Sequence, residues 1–146
     1  MAHILVVNGP NLNMLGTRET EIYGASSLSE LNDQLAEMAS ELKLEAHFFQ
    51  SNSEGELIDF IQTEGQKAEG LIINPGALTH YSYALADAIT AVDIETIEVH
   101  ISNIYAREEF RQKSVIAPIA SGHLVGFGLY GYAMALSYFA DMTNED

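Results

Sequence analysis

Two groups of polar residues, each at the end of an apolar run, have the types and spacing for proton transfer. Glu98 and His100 flank Val99 in Glu-Val-His-Ile-Ser-Asn. If this stretch is a strand, both side chains share a face, because strand side chains alternate. A carboxylate beside an imidazole orients the ring and raises its basicity. The second group is Arg18 and Tyr23, in a loop of about 18 residues that begins after Val6-Val7-Asn8-Gly9-Pro10-Asn11. Loops of that length inside compact domains are usually functional. A tyrosine acting as a base must work far below its unperturbed pKa of ~10. A nearby guanidinium is always charged and favours the tyrosinate. A shift of about 3 units needs roughly 4 kcal/mol, and one close arginine in a water-poor site could supply much of it.

The elements that must position these groups alternate along the chain. Apolar runs predict strands at 3–8, 45–50, 70–74, 95–100 and 115–118. Leu28, Leu31, Leu35, Met38, Ala39 and Leu42 recur at helical spacing. Ser53-Glu54-Gly55-Glu56 reads as a capping box opening a second helix. A third helix is expected from about Tyr81 to Ala91 and a last one from about Tyr130 to Met142; Arg107 to Lys113 is at most a short helical turn. Alternating strands and helices imply an α/β fold, a parallel sheet covered on both faces in three α/β/α layers. The leading topology is a flavodoxin-like, doubly wound, five-stranded sheet. Such sheets bind ligands beyond the carboxyl ends of their strands. Asn8 and Asn11, Asn74 and His80, and His100 and Ser102 are placed there.

Composition narrows the function. A chain of 146 residues, 47% of them apolar, suits one domain spanning residues 1–146. There is no cysteine, which excludes thiolate nucleophiles, disulfides and cysteine metal sites. No run approaches the length of a membrane span, and no signal-peptide pattern opens the chain. A cytoplasmic protein is expected. The formal charge of −15, from 21 acidic and 6 basic residues, disfavours a nucleic-acid partner. Other uses of this fold lack their residues: the ends of strands one and three carry no carboxylate cluster, and no glycine-rich phosphate loop is present. The five histidines include no close pair at metal-ligand spacing, and His3, His47 and His123 read as structural. A non-catalytic small-molecule-binding module of flavodoxin-like fold is the alternative. It explains the polar loop ends but not the convergence of Arg, Tyr, Glu and His.

The chain resembles the type II 3-dehydroquinate dehydratases over nearly its whole length. Four motifs carry the likeness in order: Asn8-Gly9-Pro10-Asn11-Leu12-Asn13 with Gly16-Thr17-Arg18-Glu19, Asn74-Pro75-Gly76-Ala77-Leu78-Thr79-His80, Glu98-Val99-His100-Ile101-Ser102-Asn103, and Arg107-Glu108-Glu109-Phe110-Arg111. Thr20 stands where the family commonly has proline, and Tyr105 where many members have histidine. The resemblance implies a lyase of the shikimate pathway of aromatic amino acid biosynthesis. It would dehydrate 3-dehydroquinate to 3-dehydroshikimate by anti elimination through an enolate, with no cofactor or metal. It assigns Tyr23 as the base, His100 as the acid and Arg18 as the stabiliser of the tyrosinate. Asn11 would hold a water or the enolate oxygen, and Glu98 would orient His100. Asn74, Ile101 and Ser102 would bind the substrate carboxylate, and His80, Asp87 and Arg111 the ring hydroxyls. Residues 15–24 would form a lid, and the subunits would assemble as a dodecamer of trimers.

Overall fold

Five apolar runs pair as one parallel sheet in the computed structural model, which describes residues 1–17, 21 and 25–144. The strands are β1 (Ala2–Asn8), β2 (Leu44–Gln50), β3 (Gly70–Asn74), β4 (Glu95–His100) and β5 (Gly122–Val125). They lie in the order β2-β1-β3-β4-β5, the expected doubly wound arrangement. Helices α1 (Leu28–Glu41), α2 (Glu54–Glu64), α3 (Tyr83–Val92) and α4 (Tyr130–Thr143) complete it.

Alternation along the strands sorts their side chains into two cores. Ile4, Val6, Ile72, Ile97 and Val99 pack with Leu31 and Leu35 of α1 and with Tyr132, Leu136 and Phe139 of α4. Leu5, Val7, Leu71 and Ile73 face the other way, onto Leu57 and Ile61 of α2 and Leu85 and Ile89 of α3. Helices therefore cover both faces, which is why the strands read as continuous apolar runs.

Local signals set the helix starts. Ser27 and Glu30 form a complete capping box at α1. The box expected at α2 forms only in part: Ser53 accepts from the Glu56 amide, while the Glu56 carboxylate accepts from the Ser51 hydroxyl at 2.7 Å.

The fifth strand departs from the sequence reading. It is Gly122–Val125, not 115–118. Residues 115–118 lie in the long β4–β5 connection, where Val115 and Ile116 plug the α2–α3 core. Their apolar character reflects burial without strand pairing. The true β5 is a half-buried edge strand that begins with glycine, so its sequence signal is faint.

Candidate active site

The topological switch lies between β1 and β3, where Asn8 and Asn74 sit side by side. Beyond them the chains Gly9-Pro10 and Pro75-Gly76 press together. A Cβ on Gly9 would lie 2.4 Å from the Pro75 carbonyl oxygen, so only glycine fits. Gly76 takes a φ of +62°, and its amide donates to the Asn74 side-chain oxygen at 3.1 Å. Asn11 follows in the left-handed region at φ 72°, held by its amide donating to Asn52 Oδ1 at 2.9 Å. These turns form one wall of a cavity of about 350 Å³, a size suited to a small metabolite.

The β4 end forms another wall. His100 is buried and lines the cavity, and its Nε2 lies 2.5 Å from Glu98 Oε2. Glu98 is fully buried. The Thr79 hydroxyl donates to it, and the Ser114 hydroxyl donates to its two oxygens at 2.8 and 3.0 Å. Ser114 Oγ is itself fixed, accepting from the amides of Ile116 and Ala117 at 3.1 and 2.9 Å. His123, beside Glu98 across the β4–β5 ladder, brings Nε2 to 3.5 Å from the same carboxylate. Burial opposes the charge on Glu98, but the His100 bond and charge, the Thr79 hydroxyl and the His123 charge outweigh it. Its carboxyl is held below the ordinary value of 4.5 and stays ionised. Burial lowers His123 below 6.5, an effect that Glu98 opposes and His100 adds to.

Arg107 and Arg111 also line the cavity. Arg107 Nη1 donates to the Ser102 hydroxyl at 3.4 Å, and Arg111 Nε donates to Glu108 at 3.2 Å. Two of the chain's three arginines thus border one pocket of a protein with a formal charge of −15. That concentration of positive charge suits a small anion such as a carboxylate.

The model for "Dehydroquinase class II" matches residues 2–140. The chain belongs to this family. A 3-dehydroquinate dehydratase of Pelotomaculum thermopropionicum is 57% identical over 91% of this chain and 92% of its own. One from Bacillus licheniformis is 51% identical over 99% of this chain and 100% of its own. Among solved structures, the type II dehydroquinase of Propionibacterium acnes superposes with a TM-score of 0.93 at 44% identity, covering 96% of this chain and 97% of that one.

In this member of the family, the fold gathers Asn11, Asn74, His80, His100, Ile101, Ser102 and Arg111 around one cavity, with Glu98 directly behind His100. His80 does not cap α3. Ser82 does so by accepting from the Leu85 amide, while His80 Nδ1 pairs with the Lys113 carbonyl at 2.7 Å. Asp87 is exposed on α3 and does not line this chain's cavity. Arg18, Tyr23 and most of the expected lid lie outside the described residues. The sequence reading missed Thr79, Ser114, His123 and Arg107. Three of these contact Glu98 from distant segments. Thr79 and Arg107 had a visible signal, as members of the Asn-Pro-Gly-Ala-Leu-Thr-His and Arg-Glu-Glu-Phe-Arg motifs.

Proposed function

We propose that this chain dehydrates 3-dehydroquinate to 3-dehydroshikimate by anti elimination through an enolate. The observation that carries the reading is His100, backed by the ionised Glu98, at the wall of an arginine-bordered cavity. The C3 ketone acidifies the adjacent C2 proton. Tyr23 removes it, with Arg18 holding the phenolate in its charged form. Asn11 stabilises negative charge developing on the enolate oxygen. His100 protonates the departing C1 hydroxyl, which leaves as water. Since Nε2 faces Glu98, Nδ1 is the nitrogen for that transfer, and the carboxylate fixes the orientation of the ring.

Asn74, Ile101 and Ser102 receive the substrate carboxylate, and His80 and Arg111 the ring hydroxyls. Residues 15–24 close over the bound substrate and deliver Arg18 and Tyr23. The reaction serves the shikimate pathway in the cytoplasm, and the subunits form a dodecamer. Exposed Tyr81, Tyr83 and Phe110 support association. Asp87, exposed on the same helix as Tyr83, would then contribute across a subunit interface.

The test is the absorbance of the conjugated enone formed from dehydroquinate by purified protein. Steady appearance of the enone is expected. Calorimetric binding of dehydroquinate without any enone would instead favour a non-catalytic binding module.

A further inference from the structure

The end of the sheet opposite the cavity joins three potential metal ligands that the sequence keeps far apart. His3 on β1 pairs in register with Glu45 on β2, and His47 lies two residues further along β2 on the same face. His3 Nδ1 is 2.9 Å from His47 Nε2 and 3.4 Å from Glu45 Oε2. The three ligand atoms all lie within 4.8 Å of one another.

We propose that His3, Glu45 and His47 form a binding site for a divalent transition-metal ion, with zinc the ion they suit best. The donor set decides the class. Magnesium and calcium require oxygen ligands, whereas two imidazoles with one carboxylate suit zinc. Tetrahedral zinc, with bonds of about 2.0–2.1 Å, sets neighbouring ligand atoms roughly 3.3 Å apart. The His3–Glu45 separation already meets this. The two imidazole nitrogens, which share a hydrogen bond, must open by about 0.4 Å. Small rotations allow it, since the His3 and Glu45 side chains are 43% and 52% exposed. The rings are already stacked, 5.1 Å apart and 15° from parallel. Exposure also leaves room for water as the fourth ligand.

The surroundings favour a cation. The Glu69 carboxylate accepts from the His3 amide at 2.6 Å, and the whole chain carries a formal charge of −15. From His3 to Asn8, β1 spans roughly 16 Å, so metal here lies well away from the cavity.

Tag-free, chelator-treated protein should be titrated with zinc chloride by calorimetry. One equivalent per chain is expected, with no heat from magnesium at the same concentrations. His3→Gln and His47→Gln should each weaken binding by at least ~10-fold, and kcat should not change. Glu45→Gln, an exposed change that leaves the histidine pair intact, should also weaken it. Among the described residues, Glu98, His100 and His123 form the other group of this kind. Zinc binding that is abolished by His123→Gln yet survives both His3→Gln and His47→Gln would place the metal there and overturn the proposal. The absence of any zinc binding would overturn it equally.

Discussion

Glu98 and Tyr132 are both fully buried, and each is the centre of a polar network beneath the cavity, but their protons are governed in opposite ways. Tyr132 donates to Asn8 Oδ1 at 2.6 Å and accepts from Asn74 Nδ2 at 2.9 Å. Burial pushes its hydroxyl far above the ordinary value of 10, only partly opposed by the Asn74 bond. It stays neutral, and its network is a fixed brace between β1 and β3. Glu98 is kept charged by His100, Thr79 and His123, and the Ser114 hydroxyl also donates to it. A buried charge with several partners polarises its neighbours, while a buried neutral bridge orients them. The first network therefore holds His100 against a fixed negative charge. The second sets where Asn74 points.

The largest separation between the networks should appear when the reacting groups are removed. His100→Ala and Tyr23→Phe should each lower kcat by ~10²-fold or more, with substrate binding weakened less. Steady-state kinetics with a dissociation constant for each variant checks this. A His100→Ala protein with native kcat would remove the imidazole from the reaction.

Glu98→Gln should have the next largest effect. A hydrogen bond to a charged group contributes about 1.5–3 kcal/mol. Its loss should cost ~10–100-fold in kcat while the neutral brace is untouched. If kcat falls no further than in a variant confined to the brace, the charge on Glu98 has no special role.

Tyr132→Phe should show the reverse balance. It strands two buried amide atoms, at about 1–3 kcal/mol for each group left without a partner. Thermal melting should fall by several degrees, and kcat should change less than in Glu98→Gln. A rise in KM is expected, because Asn74 loses the hydroxyl that orients it.

The smallest effect is the acid dependence of stability. His123 has a folded pKa below 6.5, so the unfolded chain takes up its proton first as pH falls. That stabilisation is fully present above 6.5 and is lost below it, down to the folded value. Glu98, also lowered, adds a second loss beginning below 4.5. Denaturant titrations across pH should show both steps, and His123→Gln should flatten the upper one and shrink the lower, because it also removes one of the charges that hold Glu98 down. An upper step unchanged in that variant would assign it to another group.

Much of this was legible in the chain. Four strands, four helices and the doubly wound order followed from apolar periodicity, because both sheet faces are buried and each helix keeps one apolar stripe. Glu98 and His100 were visible because strand alternation fixes neighbours two residues apart. The fifth strand was not, since Val115 and Ile116 are apolar for packing and Gly122–Val125 is a weak edge. Asp87 was named through the family resemblance; it is exposed on α3 and does not line the cavity of a single chain.

The sequence by itself determined the residue types and the short-range geometry. A charged carboxylate lies two positions from an imidazole, glycines mark where two turns must meet, and the acidic chain holds few arginines. Tertiary structure alone decided what surrounds them. Thr79, Ser114 and His123 reach Glu98 from three separate segments, Tyr132 reaches Asn8 across 124 positions, and His3 reaches His47 across a strand pair. Periodicity reports only which side of an element a residue takes. Which residues meet across that face depends on sheet order and register, and these are set by the packing of the whole chain.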